Sequence, residues 1–425
     1  MQTGSHRIPG LTLIDHEFQV PLDYDQPDAE QLSVFARELA ATPEPDQSKP
    51  WLVFFQGGPG GKSPRPMGYG GWWKRALADY RVLLLDQRGT GRSTPVTHRS
   101  LLRRGDAQAQ ASYLRHFRAD SIIRDAELIR HELTGDQPWS VLGQSYGGFC
   151  ITTYLSFAPE GLRQAFITGG LPPIHQTPDE VYRATYQRVL GKNTLFFERY
   201  PDDQQRAQEV LAYLLTHEVC LPDGSRLTPY RFQSLGHGFG TSDGFESVHY
   251  VLEEAFIHGP HGPELSDSFL AEVQKSVSFA GGPIYAILHE SIYCEGMASR
   301  WSAERVRAEY PQFEPHPDQP LLFTGEMIYP WMFDQDPVLQ PIREAAHLLA
   351  EYEGWPALYD GAQLQANTVP VAAAVYYDDM YVERLFSEGT AATIAGCQIW
   401  VTSEYEHNGL RADGERVLDH LMAML

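Results

Sequence analysis

The sequence predicts an α/β protein whose mostly parallel sheet carries helices on both faces and is interrupted by an inserted, mainly helical segment. Three observations lead to this prediction. Short apolar runs end in glycine-rich turns, as buried parallel strands do. Helix-like segments alternate with these runs as far as Ile174. The strand signal then disappears from about Thr177 to about Phe333 and returns near Val369.

The first part of the chain reads as strands. Two strand-like stretches, at 11–20 and 31–37, lie on either side of a turn-rich segment at 23–28. Two apolar runs follow, at 51–55 and 80–85, and each passes directly into a glycine-rich turn. Runs of this length with such turns are typical of buried parallel strands.

Strands and helices alternate in the next part. Ile122, Asp125, Ile129 and Leu133 recur at helical spacing, and Gly135 ends the helix they define. A strand is predicted after it, then a second helix that closes at Ala158-Pro159, then another strand before a Gly-Gly pair. The predicted elements are a helix at 120–133, a strand at 139–143, a helix at 146–157 and a strand at 164–168.

The helical segment is interpreted as a cap on the sheet. A chain of 425 residues exceeds the roughly 250–300 residues that one core holds, so an insertion is expected. One apolar helix face is expected there to pack in the core, formed by Phe245, Val248, Leu252, Ala255 and Phe256. Strands return at 369–377 and 398–402. We therefore expect a core at 1–174 and 341–425 and a cap at 175–340.

Composition excludes several classes of partner. The formal net charge of −22 repels nucleic acid and anionic membranes, and it favours a cationic ligand such as a peptide amino terminus. No apolar run approaches the roughly 18 residues of a membrane span. The first 13 residues are polar and lack the apolar stretch of a secretory signal, so a cytoplasmic protein is expected.

Neither a metal nor a cofactor is expected. The four cysteines are scattered without a CxxC pair, and no histidine stands at metal-ligand spacing beside them, which favours reduced thiols. His258 and His261 lie in a Gly/Pro loop and are expected to face solvent. The segment 236–240, Gly-His-Gly-Phe-Gly, resembles a phosphate loop only superficially, because no predicted strand precedes it.

The segment Gly-Gln-Ser-Tyr-Gly at 143–147 matches the G-x-S-x-G pattern of a serine nucleophile. A predicted strand precedes it and a predicted helix follows. The sharp strand-to-helix turn needs small residues two before and two after the serine, and Gly143 and Gly147 meet this need. The turn lifts the hydroxyl of Ser145 above the sheet and directs the helix N-terminus at the reacting carbonyl. Ser145 is therefore the candidate nucleophile of an α/β-hydrolase fold.

A serine hydroxyl needs a base, and the base needs an orienting acid. In this fold the order is serine, acid, histidine, with the acid after a late strand and the histidine near the C-terminus. His407 follows the predicted strand at 398–402 and is the candidate base. Asp378 and Asp379 both follow the strand at 369–377, and the residues alone do not separate them.

The tetrahedral intermediate of acyl transfer needs two backbone N–H donors. Tyr146, the residue after the nucleophile, supplies one of them. The second is expected from the glycine-rich loop after the strand at 51–55, from Gly57 or Gly58. A tight turn would require the same glycines for structural reasons alone, and both roles are compatible.

Three motifs in this order resemble the prolyl aminopeptidases (proline iminopeptidases), serine peptidases of the α/β-hydrolase fold. They are Gln-Gly-Gly-Pro-Gly-Gly at 56–61, Asp-Gln-Arg-Gly-Thr-Gly-Arg-Ser at 86–93 and Gly-Gln-Ser-Tyr-Gly-Gly at 143–148. The resemblance extends through His407 almost to the C-terminus and is greatest to the longer bacterial form. One departure is Gln56, where the family commonly has histidine. Because the donors are backbone groups, we expect intact chemistry, with Gly58 as the second donor.

The resemblance also implies roles for three acidic residues. The family's spacing between acid and histidine matches Asp379 and His407, so it favours Asp379 over Asp378. The family removes an amino-terminal proline and binds the free amine through cap glutamates, which correspond here to Glu290 and Glu326. A carboxylate pair in a closed pocket would neutralise an ammonium. Alternatively, either glutamate caps a helix or pairs with an arginine.

Two other functions remain open at this point. An esterase or amide hydrolase of the same fold would have a different acyl pocket and no ammonium to bind, so the cap glutamates argue against it. A non-catalytic ligand-binding relative would be expected to lack a member of the serine–histidine–acid set, and all three are available here.

Overall fold

The computed structural model describes residues 1–260 and 262–425, so His261 lies outside the described residues. Eleven strands occur in the described residues. They are β1 (Gln2–Ile8), β2 (Leu11–Pro21), β3 (Gln31–Ala40), β4 (Trp51–Phe55), β5 (Arg81–Leu85), β6 (Trp139–Gln144), β7 (Leu162–Thr168), β8 (Phe256–Gly259), β9 (Gly262–Leu265), β10 (Val371–Tyr376) and β11 (Cys397–Thr402).

Nine of these strands form one sheet in the order β1-β2-β3-β5-β4-β6-β7-β10-β11. The strands from β5 to β11 along this order pair in parallel, whereas β1, β2 and β3 pair antiparallel at one edge. Every residue of β4 and β10 is buried, as expected for central parallel strands covered on both faces. The prediction of an α/β fold is confirmed.

Eighteen α-helices accompany the sheet in the described part of the chain. Five of them precede β7: α1 (Gly71–Asp79), α2 (His98–Leu102), α3 (Ala107–Leu114), α4 (Ala119–Thr134) and α5 (Tyr146–Phe157). Eight lie between β7 and α14: α6 (Pro178–Arg199), α7 (Pro201–Thr216), α8 (Pro229–Gln233), α9 (Gly244–Glu253), α10 (Asp267–Val277), α11 (Pro283–Leu288), α12 (Ser302–Arg307) and α13 (Met332–Gln335). The others are α14 (Arg343–Ala350), α15 (Gly361–Gln365), α16 (Arg384–Thr393), α17 (Gly409–Ala412) and α18 (Gly414–Ala423).

Short 3₁₀ helices link several of these elements. Their bounds are Pro159–Gly161, Ser234–Gly240, Glu290–Tyr293, Pro311–Phe313 and Gln340–Ile342. No helix of the described residues is long and apolar enough to cross a membrane. The long segment between β7 and β10 is mainly helical, as expected, while the domain limits at 174/175 and 340/341 stay a prediction.

One local prediction needs correction, and one strand was not specifically predicted. The apolar face assigned to one helix ends early, because α9 stops at Glu253 and Phe256 begins the hairpin β8–β9. The Gly259-Pro260 pair that follows favours a turn and cannot continue a helix. The first part of the chain was expected to be β-structure, but no individual strand was predicted at β1, whose residues are mostly polar and almost all exposed at the edge of the sheet.

Two buried residues fix the loops that follow β4 and β5. Asp86 accepts hydrogen bonds from the backbone N–H groups of Ser63, at 3.0 Å, and Arg92, at 2.9 Å. Arg88 lies fully buried and donates through Nε to Asp125 on α4, at 2.7 Å. A buried ion pair of this kind is costly to break on one side only. The glycine-rich loop after β4 is therefore held against the neighbouring strand.

Candidate active site

Ser145 lies at the turn between β6 and α5, in the backbone conformation of a nucleophile elbow. Its φ is 56° and its ψ is −127°, a region that residues with side chains rarely adopt. The N–H of Ser145 donates to the carbonyl of Thr168 at 3.0 Å, which holds the turn against β7. The hydroxyl is thereby presented at the carboxyl edge of the sheet.

The two glycines of the motif are required by close backbone contacts. A Cβ atom on Gly147 would lie 2.0 Å from the carbonyl oxygen of Phe55 on β4. A Cβ atom on Gly143 would lie 2.5 Å from the carbonyl carbon and oxygen of Gly147. Neither position can hold a side chain without moving neighbouring backbone, so the sequence pattern has the physical cause expected of it.

His407 and Asp379 form a buried hydrogen-bonded pair. Nδ1 of His407 lies 2.6 Å from Oδ2 of Asp379, and the aspartate is 1% exposed. Oδ1 of Asp379 accepts the backbone N–H groups of Tyr381, at 2.8 Å, and Val382, at 3.1 Å. Asp378 instead is exposed and lies 3.7 Å from Arg188. Only Asp379 is therefore placed to orient the imidazole.

The carboxylate also affects the protonation of His407. Burial disfavours the charged imidazolium and lowers its pKa, but the charge of Asp379 and its hydrogen bond outweigh burial. The pKa of His407 consequently lies above its usual value. The pair stabilises the imidazolium that would form when the histidine accepts a proton. His420, the other histidine after β11, is exposed on α18, and its ring packs at a tilt against the Trp400 ring with the centroids 4.1 Å apart.

The candidate oxyanion donors lie on either side of Ser145. Tyr146 is the first residue of α5, so its N–H belongs to the free N-terminal turn of that helix. Gly57 lies directly against the nucleophile, since a Cβ atom there would be 2.9 Å from Cβ of Ser145. The amide of Gln87 donates to the carbonyl of Gln56 at 3.0 Å and holds this loop. Gly58 and Tyr146 keep their predicted role as a proposal.

Ser145 and His407 line one cavity of about 900 Å³. The glycines of the loop after β4 form part of its wall, and Glu326 of the inserted segment also lines it. The cavity thus contains a serine, an imidazole oriented by a carboxylate, backbone donors and a second carboxylate. Such a set can transfer an acyl group from an amine to water, and it can bind a cation beside the reacting carbonyl.

The Glu326 side chain is 15% exposed and accepts a hydrogen bond from the Tyr285 hydroxyl at 2.7 Å. Burial raises its pKa from 4.5 to about 7, while the Tyr285 hydrogen bond and the charge of His407 act in the opposite direction. A carboxyl group that titrates near neutrality in a cavity is typical of a functional site.

The structure does not bring Glu290 to this cavity, contrary to the role that the resemblance implied. Its two carboxylate oxygens accept the backbone N–H groups of Ser302, at 3.1 Å, and Ala303, at 2.9 Å. Glu290 therefore caps the first turn of α12, which is the alternative left open by the sequence. Of the two predicted amine ligands, Glu326 alone faces the cavity among the described residues.

The sequence analysis assigned no role to His237, Tyr285 and Tyr381, which also line the cavity. No local signal distinguishes them, because each contacts residues far away along the chain. The four cysteines are unpaired. Within 1–260 and 262–425, no group of three or more His, Cys, Asp or Glu side chains could hold a metal ion.

Fold and site together define an α/β hydrolase, and a family model described as alpha/beta hydrolase fold matches residues 50–348. A proline iminopeptidase from Aeromonas sobria is 52% identical over 418 residues, covering 98% of this chain and 97% of that protein. Proline iminopeptidase aneH from Aspergillus aculeatus is 34% identical over 430 residues, covering 99% and 95%. The chain belongs to the proline iminopeptidase family.

A solved structure also aligns with most of the chain. The crystal structure of a hydrolase from Pseudomonas aeruginosa PA01 aligns with a TM-score of 0.40 and 12% sequence identity. The alignment covers 96% of this chain and 98% of that chain.

Proposed function

We propose that the chain is a serine exopeptidase that releases an N-terminal proline from peptides through an acyl-enzyme intermediate. The observation that carries the proposal is the arrangement of Ser145, His407 and Glu326 around one cavity. The two relatives that align over nearly their full length are proline iminopeptidases by name, which supports the release of an N-terminal proline by this chain.

Acylation begins when His407 accepts the proton of the Ser145 hydroxyl and the oxygen attacks the carbonyl of the first residue. Negative charge develops on the carbonyl oxygen, and the N–H groups of Tyr146 and Gly58 stabilise it. The imidazolium then donates its proton to the leaving nitrogen, which departs as the shortened peptide. Asp379, held by Tyr381 and Val382, keeps the imidazole oriented throughout.

Deacylation reverses these roles. A water molecule gives a proton to His407 and attacks the acyl carbon, and the Ser145 oxygen leaves with a proton returned by the imidazolium. Proline, whose amine stays bound at Glu326 until this point, is then released.

The position of Glu326 supports a restriction of the substrates to peptides with a free amino terminus. A protonated proline nitrogen carries two protons, and the Glu326 carboxylate can accept hydrogen bonds from them. One fixed anchor for the amine beside one nucleophile places the first carbonyl at Ser145. The net charge of −22 also favours the cationic end of a peptide.

Free and blocked substrates test this proposal. Proline arylamide is expected to be cleaved well, N-acetylproline arylamide at least about a hundredfold less efficiently, because the acetylated nitrogen carries no charge for Glu326. A panel of other amino-acid arylamides measures the preference for proline. Equal kcat/KM for free and blocked substrates would refute the exopeptidase and favour the esterase or amidase alternative.

We also propose a cytoplasmic location. Four unpaired cysteines support it, because a reducing compartment keeps thiols free. Peptides with a free amino terminus are the proposed substrates there.

A further inference from the structure

The glycine-rich segment Gly236–Gly240 lies between the amine site and the catalytic base. It forms the end of the 3₁₀ helix Ser234–Gly240, and α8 precedes it. A Cβ atom on Gly236 would lie 2.4 Å from the carbonyl oxygen of Thr324, two residues before Glu326. The segment therefore packs directly against the backbone that carries the amine-binding carboxylate.

The other end of the segment contacts the base. A Cβ atom on Gly240 would lie 2.1 Å from the ring of Tyr381, and the carbonyl of Gly240 accepts the N–H of His407 at 3.1 Å. The Tyr381 hydroxyl donates to the carbonyl of His237 at 2.5 Å. The Tyr381 ring packs on the His407 imidazole with the ring centroids 4.8 Å apart. The backbone N–H of Tyr381 donates a hydrogen bond to Asp379.

One side chain of the segment reaches toward the carboxylate. Nε2 of His237 lies 2.9 Å from the Tyr285 hydroxyl, which in turn lies 2.7 Å from Oε1 of Glu326. A phenol has one proton, and the ionised carboxylate can only accept it. Nε2 of His237 must then carry a proton and donate it to the Tyr285 oxygen. When Glu326 is ionised, the resulting chain of hydrogen bonds runs in one direction, from His237 to Glu326.

We infer that His237 and Tyr285 are positioning residues that fix the Glu326 carboxylate relative to His407, and so restrict cleavage to the bond after the first residue. The inference rests on the proposed function, in which Glu326 binds the amine. The contact toward Glu326, through Thr324, and the contact toward His407, through Tyr381, both come from the segment Gly236–Gly240, whose glycines allow the close approach. The distance between amine anchor and base is therefore set by packed backbone rather than by two independent loops.

Several titratable groups face Glu326, and their effects have known signs. They are Tyr285 by its hydrogen bond, His237 at 3.9 Å, and His407, Asp379, Tyr182, Tyr293 and Tyr381 through charge interactions. Among them, the Tyr285 hydrogen bond lowers the pKa of Glu326 against the effect of burial. Loss of the hydroxyl should therefore raise this pKa further.

The test is the pH dependence of Tyr285→Phe with proline arylamide. We expect kcat/KM at pH 7 to fall about threefold to tenfold, mainly through KM, with the acid limb displaced to higher pH. A neutral activated ester should show no such displacement, because it has no amine to bind. Tyr293→Phe is the matched control, since among the described residues that hydroxyl donates no hydrogen bond to Glu326, and its profile should stay in place.

A second pair of variants tests His237. The substitution His237→Ala removes the donor to Tyr285 and should raise KM for proline arylamide. The substitution His237→Gln places an amide donor near the position of Nε2 and should bring KM most of the way back to the parent value. An unshifted acid limb in Tyr285→Phe, or equal KM in the two His237 variants, would overturn the inference. Failure of the proposed function is distinguishable, because Glu326→Gln would then leave the preference for free over blocked substrate unchanged.

Discussion

Burial separates the two candidate acids, which the sequence could not do. Asp378 and Asp379 are adjacent and follow the same strand, so their local patterns are equivalent. In the structure the first is exposed near Arg188, and the second is buried with His407 and two backbone donors. The family resemblance pointed to Asp379, and the geometry supports that choice as a proposal.

We expect Asp379→Asn to lower kcat on the order of 10⁴-fold, because the imidazole loses the partner that fixes its tautomer. Asp378→Asn removes only an exposed contact at 3.7 Å and should change kcat less than about threefold. We compare kcat of the two variants by steady-state kinetics with proline arylamide. Circular dichroism first shows that both variants are folded. The reverse ranking would assign the acid to Asp378.

The raised pKa of Glu326 implies a cost to the folded state at neutral and alkaline pH. Its folded pKa of about 7 lies above the ordinary 4.5, so the folded state binds this proton more tightly and loses stability as pH rises between the two values. The cost is complete above pH 7 and absent below about pH 4.5. Glu326→Gln should therefore raise the free energy of unfolding at pH 8, by up to about 3 kcal/mol.

Denaturant unfolding at pH 8 and at pH 4.5 measures this difference, with Glu326→Gln compared with the parent at each pH. The gain should shrink toward zero at the lower pH. A variant that is equally stabilised at both pH values, or destabilised at pH 8, would show that this carboxyl group is not strained by burial.

Long-range contacts explain why the amine site was only partly predicted. Glu290 and Glu326 both lie in the inserted segment, and nothing local shows which one faces the cavity. The Glu290 carboxylate caps the N-terminus of α12, which begins twelve residues further along the chain. His237 and Tyr285 are 48 residues apart and meet only in the folded chain. Such pairings depend on how the inserted helices pack, which single-sequence patterns do not determine.

At the scale of elements, the nucleophile turn was the most predictable part of the molecule. A strand, a serine between two glycines and a helix define it locally, and the contacts of Gly143 and Gly147 explain why. The parallel strands were also recognisable, because burial on both faces requires continuous apolar runs. The exposed strand β1 and the β8–β9 hairpin lacked such runs, so no pattern predicted them.

Alanine substitutions at two glycines test this account of the elements. Gly147→Ala should lower the melting temperature and abolish most activity, because its Cβ atom would lie 2.0 Å from the carbonyl of Phe55. Gly191→Ala lies inside α6, where a Cβ atom meets nothing within 4 Å, and should stabilise by about 0.5–1 kcal/mol. Thermal unfolding of both variants is the measurement. An active, fully stable Gly147→Ala would contradict the turn geometry.

At the scale of the molecule, the parallel sheet collects the predicted groups at one edge. β4, β6, β10 and β11 run in the same direction, so the segments that follow them meet at their carboxyl ends. The glycine loop, Ser145, Asp379 and His407 follow these four strands. This convergence could be predicted from strand order alone. The inserted segment covers it with Glu326, and that contribution required the structure.

The central claim is that Ser145 is the nucleophile of this site. The most direct measurement is labelling with a fluorophosphonate probe, followed by peptide mapping by mass spectrometry. The account predicts one label per chain, on Ser145, no label on Ser145→Ala, and loss of nearly all proline arylamide hydrolysis in that folded variant. A label on another serine, or an active Ser145→Ala variant, would contradict it.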